Sequence, residues 1–265
     1  MYAFEYQRPT SRDAAKAAAS GADTHYLAGG QSLIQAMRLR LSQAERLVDL
    51  GAIADLKGIK ADPGSVTIGA MATHASVASN ADVKRLIPAL AELAGGIGDP
   101  MVRNMGTIGG SIANADPAAC YPAAVVGLNA TIHTDRRKIA ADDFFTGLYE
   151  TALQAGELIT AVSFPVAQRA AYMKYRQPAS RFALVGVFVA QTAGGVRVAV
   201  TGAKSHVFRA KLIEDALAKT FTADSAKAVK MPMTDINSDL HGTAEYRAAM
   251  ISVMASRAVA AALAR

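Results

Sequence analysis

The hydrophobic pattern of the N-terminal half predicts short strands and short helices in alternation. Ser11 stands at a helix N-cap position before the segment AAKAAAS, and Gly21 suits the residue that follows the helix. After a turn at Gly29 and Gly30, apolar residues at helical spacing predict a second helix: Leu33, Ile34, Met37 and Leu41. The remaining pattern predicts strands at 24–28, 46–50, 65–69, 130–134, 136–139 and 157–164, and helices at 75–80, 87–93 and 118–128.

The segment between residues 95 and 117 departs from this pattern. It reads GGIGDPMVRNMGTIGGSIANADP and is crowded with Gly, Asn, Asp and Pro. Residues that favour turns at this density predict a long loop, although Ile108 and Ile112 are apolar. Such a loop inside a compact domain is uncommon unless it has a function, so the segment is a candidate binding loop.

The last part of the chain has strands first and helices afterwards, an order typical of an α+β layer. The pattern predicts strands at 172–176, 183–190 and 196–201, and helices at 209–219, 223–229 and 243–264. An apolar stripe on the last helix is expected to face the core: Tyr246, Met250, Val253 and Met254. The small-residue segment 166–171 is interpreted as a linker, which predicts one domain over residues 1–168 and another over 169–265.

Composition narrows the possible functions. The chain has 265 residues, and a content of 51% hydrophobic and 19% charged residues indicates a folded protein, not a disordered one. The single cysteine, Cys120, excludes an internal disulfide, a multi-cysteine zinc site and an iron–sulfur cluster held by this chain alone. Any redox chemistry must therefore use a cofactor.

The formal net charge of +6 does not by itself indicate nucleic-acid binding. Basic residues are dispersed along the chain, without a long basic tract or a basic patch with interleaved aromatic residues. The N-terminal segment MYAFEYQRPTSRD lacks the pattern of a secretory signal. No uninterrupted apolar run approaches the roughly 18 residues of a membrane-spanning helix. We expect a cytoplasmic protein without an integral membrane segment.

Side chains suited to acid–base catalysis are not grouped in the sequence. Five histidines lack the spacing of a metal site or a catalytic triad and are interpreted as structural or surface residues: His25, His74, His133, His206 and His241. The adjacent carboxylates Asp142 and Asp143 are interpreted as the cap of a short helix.

Residues 27–34, LAGGQSLI, form the first glycine motif. A predicted strand leads into paired glycines and then into a helix, so backbone N–H groups at the turn can face a ligand without a Cβ in the way. Such a turn suits a phosphate or pyrophosphate, and Gln31 and Ser32 can add side-chain donors. The motif matches neither GxGxxG nor GxxxxGK[ST], which disfavours a nicotinamide Rossmann site and a P-loop. A tight turn without a ligand is the alternative.

Residues 107–111, TIGGS, form the second glycine motif, inside the predicted loop. Paired glycines again lie beside hydroxyl groups, and Asn114 and Asp116 follow closely. The alternative is a structural loop fixed by Asn and Asp turn bonds. A ligand with two polar regions, such as a dinucleotide, needs donors from two places, so the presence of both motifs favours ligand binding.

Five segments in this order carry a family resemblance: LAGGQSLI, RNMGTIGGSIANADPAACYPA, GELITAVSFP, YMKYRQPASRFALVGV and SDLHGTAEYRAAMISVMASRA. The chain resembles, over nearly its whole length, the FAD-binding medium subunit of the molybdenum hydroxylases, the xanthine dehydrogenase and carbon monoxide dehydrogenase family. The resemblance implies an α+β fold: a vanillyl-alcohol-oxidase (PCMH)-type FAD-binding domain with lobes at roughly 1–55 and 56–168, and a small C-terminal α+β domain. FAD would lie between the lobes without a covalent bond.

The resemblance also implies the residues that contact FAD. The first motif would hold the pyrophosphate through its backbone, and the second would meet the pyrophosphate and the flavin side. Ile97 would be an apolar contact, Ile159 would lie near the adenine, Lys174 would approach the cofactor, and Phe182 would lie near the isoalloxazine ring. The implied contacts are Leu27, Ala28, Gly29, Gly30, Gln31, Ser32, Leu33, Ile34, Ile97, Thr107, Ile108, Gly109, Gly110, Ser111, Asn114, Asp116, Cys120, Ile159, Lys174 and Phe182.

Cys120 departs from the family pattern. Many relatives carry an acidic residue there that bonds the ribityl hydroxyls, whereas a thiol is a weak donor and a weak acceptor. Either this contact is lost, or Asp116 or water replaces it. The alternative is that Cys120 is a small buried apolar residue of the helix at 118–128.

The function implied by the resemblance is electron transfer within a larger oxidoreductase. Partner subunits would hold a molybdenum cofactor and two [2Fe–2S] clusters, and FAD on this chain would pass electrons to an external acceptor. A large molybdenum subunit and a small [2Fe–2S] subunit are the expected partners, in a heterotrimer or a dimer of heterotrimers. A self-sufficient FAD-dependent oxidase or dehydrogenase and a non-catalytic nucleotide-binding module are the alternatives.

Overall fold

A small parallel sheet opens the fold. The computed structural model describes residues 1–21 and 23–265. Strand β3 is parallel to β1 on one side and to β2 on the other. The elements are β1 (Glu5–Gln7), α1 (Arg12–Ala18), β2 (Thr24–Leu27), α2 (Leu33–Arg38) and β3 (Arg46–Asp49). Val48 packs in one apolar cluster with Ala15 of α1, and Leu47 packs in another with Met37 of α2. Because successive strand residues point to opposite faces, helices cover both sides of β3.

A five-stranded antiparallel sheet follows, in the order β4-β5-β10-β6-β7. Its strands are β4 (Ile59–Asp62), β5 (Ser65–Gly69), β6 (Thr131–Thr134), β7 (Lys138–Ala140) and β10 (Ile159–Pro165). Six helices between β5 and β6 cover it: α3 (His74–Ser79), α4 (Ala81–Leu86), α5 (Pro88–Gly95), α6 (Pro100–Met105), α7 (Ile108–Asn114) and α8 (Tyr121–Gly127). Helix α9 (Ala141–Phe144) and a hairpin of β8 (Phe145–Gly147) and β9 (Glu150–Thr151) lie before β10.

A four-stranded antiparallel sheet and three helices complete the chain. The strands lie in sequence order, β11 (Arg169–Arg176), β12 (Ala183–Thr192), β13 (Gly195–Thr201) and β14 (Phe208–Arg209). The helices are α10 (Lys211–Lys219), α11 (Ala223–Lys227) and α12 (Ala244–Leu263). No helix in the described part of the chain has the length and apolar character needed to cross a membrane.

Strand β12 is buried on both faces, which explains its continuous apolar run ALVGVFVA. On one face Phe188 belongs to the large core of the preceding sheet, and a Cβ at Gly127 would lie 2.7 Å from its ring. On the other face Val187 and Val189 pack with Ile251 of α12. The core therefore runs without a break across the predicted boundary at residue 168, and the division into two domains stays a prediction.

The prediction of one long loop over residues 95–117 is wrong, since α6 and α7 lie within it. Asp99 and Thr107 cap these helices, each accepting a hydrogen bond from a backbone N–H three residues later. The paired glycines of the second motif lie inside α7, where Gly109 packs directly against the backbone of Ala70. Glycine stands at position 109 because another segment of the chain approaches closely there. Local sequence preferences interpret the same glycine pair as a turn.

Three smaller predictions also need correction. Segment 166–171 is not wholly a linker, because β11 begins at Arg169 and pairs there with Gln191. Leu41 lies beyond the end of α2 and is 79% exposed. On α12 the face that is buried differs from the predicted apolar stripe, because Tyr246 is 43% exposed whereas Arg247 is buried.

Asp142 and Asp143 lie in the first turn of α9, but neither side chain caps it. Asp142 instead forms ion pairs with Arg197 of β13 and, at 3.3 Å, with Arg209 of β14. These arginines hold the pKa of Asp142 below its ordinary value against the opposing effect of burial. The carboxylate therefore joins the second sheet region to the third.

Candidate functional site

A cavity of about 380 Å³ lies between the two glycine motifs. One wall comes from the turn between β2 and α2, and the opposite wall from α7 and the segment that follows it. Its predicted residues are Ala28, Gly29, Gly30, Gln31, Ser32, Leu33, Ile97, Thr107, Gly110, Ser111, Asn114 and Asp116. The tertiary structure thus brings together residues from both motifs and from the end of α5.

The first glycine motif has unused backbone donors at the wall of this cavity. Within residues 1–21 and 23–265, none of the N–H groups of Gly29, Gly30, Gln31, Ser32 and Leu33 donates a hydrogen bond to the protein. Gly30 has φ of +71°, a conformation that glycine adopts without strain. Five successive free amides at the start of a helix form a site for an anion.

The second glycine motif contributes in a different way. Ile108 and Gly109 donate to the carbonyl oxygens of Ala72 and Ala70, and Gly110 donates to the Thr107 hydroxyl at 3.1 Å. The amides of residues 108–111 are therefore already used within the protein. Ile108 is fully buried and does not reach the cavity, whereas the Gly110 backbone and the Ser111 side chain line it.

The wall that carries Asn114 and Asp116 turns sharply between them. Ala115 has φ of +47°, which ends α7 and separates the two polar side chains. One carboxylate oxygen of Asp116 accepts a hydrogen bond from the N–H of Ala118 at 2.8 Å, which fixes the side chain beside the cavity. Asp116 therefore supplies a fixed carboxylate in the region where Cys120 departs from the family pattern.

A smaller space of about 80 Å³ continues from the cavity past Ala28 and Gly110. Apolar side chains of Leu158 and Ile159 line it, together with the ring of Tyr26. Neither leucine nor isoleucine can select a polar group here, so this end suits a flat, largely apolar part of a ligand. The contact of Ile159 with the adenine stays a prediction.

Glu157 fixes this end of the site. Its carboxylate accepts bonds from the Arg137 guanidinium at 2.9 and 3.0 Å, from the Gln154 N–H at 2.8 Å and from the Thr134 hydroxyl at 2.8 Å. The arginine hydrogen bond is the main reason that the pKa of Glu157 falls to about 2, with the other two bonds adding to it and burial opposing it. The carboxylate therefore ties the segment before β10 to the β6–β7 turn.

We expect Glu157→Gln to lower the free energy of unfolding at pH 7 by roughly 3 kcal/mol or less, since one pKa unit corresponds to about 1.4 kcal/mol. A carboxylate whose pKa is lowered on folding stabilises the fold above its unfolded pKa, near 4.5, and loses this effect as the pH falls toward 2. Urea unfolding of both proteins from pH 7 down to pH 4 checks this, with the exposed Glu45→Gln as control. If the difference in the free energy of unfolding between Glu157→Gln and the parent does not narrow below pH 4.5, the prediction is wrong.

Lys174 joins two segments behind the cavity wall. Its ammonium donates to the carbonyl oxygen of Gly96 at 2.8 Å and lies 3.3 Å from the sulfur of Cys120. Gly96 precedes Ile97, and Cys120 follows Ala119, and both of those neighbours line the cavity. Cys120 itself is 5% exposed and lies just before α8, as a small buried residue would. Whether it contacts a ligand stays a prediction.

Phe182 lies apart from the cavity lining. Its ring packs edge-on against the ring of His241, with 5.7 Å between the ring centroids, and His241 lies in the turn before α12. Arg247 holds that turn through two hydrogen bonds of 2.8 Å to Asp239. The predicted contact of Phe182 with the isoalloxazine ring stays untested.

A third depression, of about 550 Å³, lies on the other side of Gly29 and Gly30. Arg8 and Lys57 line it, but both cations already have partners. Arg8 lies 3.3 Å from Asp49, and Lys57 donates to a carbonyl oxygen at 2.6 Å. The free amides of the first glycine motif therefore remain the stronger anion site.

Comparison with known proteins decides the family. The family described as "FAD binding domain in molybdopterin dehydrogenase" matches residues 2–167. The chain is 35% identical to the carbon monoxide dehydrogenase medium chain of Hydrogenophaga pseudoflava, with 99% of this chain and 98% of that one covered.

The chain belongs to this FAD-binding family. It is also 32% identical to the nicotine 6-hydroxylase medium subunit of Paenarthrobacter nicotinovorans, covering 99% of this chain and 98% of the relative. The structure of reconstituted CO dehydrogenase from Oligotropha carboxidovorans contains a similar chain, with a TM-score of 0.90, 35% identity, and coverage of 100% and 99%. The predicted family and the predicted fold class are confirmed.

The FAD-binding family has a site here whose chemistry fits its cofactor. Free amides at the first glycine motif suit a pyrophosphate, and the apolar space beside Leu158 and Ile159 suits a base. Gly110 borders both regions, and a Cβ there would lie 3.3 Å from the Cβ of Ala28. The donors, the apolar end and the shape of the cradle agree.

Several residues around this cavity are not among the predicted contacts. His74, Val102, Gly106, Ala113 and Ala119 also line the cavity, as do His25 and Tyr26 from β2. None stands in a glycine motif, and their approach depends on how α3, α6 and α7 pack. The bond from the His74 N–H to the Gly106 carbonyl oxygen at 2.9 Å is one such tertiary contact.

Proposed function

We propose that this chain is the FAD-binding electron-transfer subunit of a molybdenum hydroxylase. The observation that carries the proposal is the row of five free amides at the first glycine motif, in the wall of a cavity that borders an apolar space. Membership of the FAD-binding family and similarity to medium subunits of carbon monoxide dehydrogenase and nicotine 6-hydroxylase support it.

The residues would share the work of holding FAD. The first motif would bind the pyrophosphate through the amides of 29–33, and Ile159 would lie against the adenine. Asn114, and Asp116 in place of the acidic residue absent at Cys120, would bond the ribityl chain. Lys174 would keep Gly96 and Ile97 in place behind the flavin. FAD, when bound, exchanges electrons singly or in pairs, which suits it to linking iron–sulfur clusters with an external acceptor.

Electron transfer through this chain needs partners. We include in the proposal a large subunit with the molybdenum cofactor and a small subunit with [2Fe–2S] clusters, in a heterotrimer or a dimer of heterotrimers. A cytoplasmic location, and an organisation into an FAD-binding domain at 1–168 and a C-terminal domain at 169–265, complete it.

The test is expression of the full chain with and without the two neighbouring subunits. We expect purified protein with the visible absorption of oxidised flavin, which heat or acid releases because FAD is not covalently bound. We also expect co-purification with both partner chains. A colourless protein that cannot be reconstituted with FAD would contradict the proposal. A yellow protein that oxidises a substrate without partners would favour a self-sufficient enzyme instead.

A further inference from the structure

His74 is a buried histidine whose ring has no hydrogen-bond partner in the protein. It begins α3, is 5% exposed and lines the cavity between the glycine motifs. Its Nδ1 atom is buried without a partner, whereas Nε2 makes no hydrogen bond within residues 1–21 and 23–265 but is not enclosed. A neutral imidazole carries one N–H donor and one acceptor nitrogen, so Nε2 is the ring atom that a ligand in the cavity can reach.

The surroundings of the ring keep it in one place. Its backbone N–H donates to the carbonyl oxygen of Gly106, and a Cβ at Gly106 would lie 2.5 Å from Nε2. Glycine at 106 thus leaves the space that the imidazole occupies. On another side the ring meets Tyr121 at 5.3 Å between centroids, and the Tyr121 hydroxyl is also buried without a partner.

The charge state of His74 follows from these neighbours. Burial, together with the positive charge of Arg103, lowers the pKa of His74 to about 4. The ring is therefore neutral at physiological pH and can both donate and accept a hydrogen bond.

We propose that His74 is a further cofactor-binding residue, whose neutral imidazole forms a hydrogen bond with the FAD bound in this cavity. This inference rests on the proposed function. It accounts for an unpartnered polar ring at a cavity wall, for the glycine that gives it room, and for a buried position that packing alone would fill with an apolar side chain.

The test compares FAD binding by His74→Leu, His74→Asn and His74→Gln in the full chain. Asparagine places a polar atom near the position of Nδ1, and glutamine reaches the position of Nε2. We expect the leucine variant to bind FAD about 10-fold more weakly, the effect of one hydrogen bond. We expect one of the two amide variants to recover most of this loss. The leucine variant should also shift the flavin absorption bands of the bound cofactor.

Stability of the FAD-free chain separates this role from a structural one. Since the ring has no protein partner, His74→Leu should unfold at the same temperature as the parent, or higher. His133→Leu is the control for the loss of a histidine that does have a protein partner. The His133 ring forms a hydrogen bond with the Ser163 hydroxyl at 2.7 Å, and it lies outside the cavity lining. Gly106→Ala, which pushes the ring aside, should weaken FAD binding like His74→Leu.

The outcomes are distinguishable. If the parent chain binds FAD and His74→Leu binds it equally well with unchanged absorption, the inference is wrong while the proposed function stands. If His74→Leu weakens binding only in proportion to a lower unfolding temperature, and neither amide variant recovers it, the role is structural and the inference is wrong. If the parent chain does not bind FAD at all, both are wrong.

Discussion

Gly29→Ala is expected to weaken FAD binding about 100-fold or more. A Cβ on residue 29 would lie 2.7 Å from the carbonyl carbon of Met105 and 2.8 Å from the Cα of Gly106, and nearer still to the Met105 oxygen. These are backbone atoms of the end of α6 and cannot turn away as a side chain could. In the variant, the first glycine motif must therefore shift away from Met105 and Gly106, which lead into the second glycine motif.

The size of the effect follows from the donors that this movement misplaces. Hydrogen bonds to a charged group contribute about 1.5 to 3 kcal/mol each. Loss of two of the five amide bonds to a pyrophosphate thus corresponds to about two to four powers of ten in Kd. Titration of the FAD-free chain with FAD, followed by flavin fluorescence, measures it.

The matched control is Gly58→Ala. Gly58 has open space where a Cβ would stand and is not among the glycines with positive φ. FAD affinity of this variant should equal that of the parent chain. Unchanged affinity in Gly29→Ala would show that the first motif does not hold the cofactor through its backbone.

Arg247→Leu is expected to lower the free energy of unfolding by about 3 kcal/mol. The guanidinium is 5% exposed and donates to the carbonyl oxygens of Leu184 at 2.7 Å and Gly202 at 2.9 Å, besides its paired bonds to Asp239. Leucine fills similar space but leaves both carbonyl oxygens without donors. Each such loss costs about 1 to 3 kcal/mol, while the half-exposed Asp239 regains water.

Urea unfolding of the variant, beside Arg257→Leu on the exposed side of the same helix, measures this loss. The control should differ from the parent by no more than about 0.5 kcal/mol. Equal stability of the two variants would show that the buried guanidinium contributes little. Since Arg247 also holds the turn that places His241 against Phe182, a lower FAD affinity beyond the stability loss would support the predicted position of Phe182 near the flavin.

The first glycine motif was readable from the sequence because its geometry is local. A strand, two glycines and a helix follow each other within a few residues, and short-range backbone preferences decide that order. The second motif was misread because Gly109 and Gly110 lie inside a helix. Only the distant Ala70 and Ala28 explain why residues without side chains are needed there.

The burial of long polar side chains is a second feature that the sequence pattern does not predict. The predicted stripe on α12 placed Tyr246 in the core and overlooked Arg247, since a buried arginine is favourable only when acceptors surround it. Those acceptors come from β12, β13 and the turn at Asp239, all distant in sequence or outside any periodic pattern. The same holds for Asp142, whose arginine partners lie on β13 and β14.

The sequence by itself determined the family, the α+β class and the two glycine motifs that the fold brings to one cavity. Motif spacing and strand–helix order are properties of neighbouring residues, so they survive without coordinates. Tertiary structure alone decided that the first motif keeps a row of free amides while the glycine amides of the second are used within the protein, that Lys174 pairs with Gly96 and Cys120, and that His74 lies at the cavity with Nδ1 unpartnered. The physical reason is that hydrogen-bond satisfaction depends on groups brought together from distant parts of the chain, which no local pattern records.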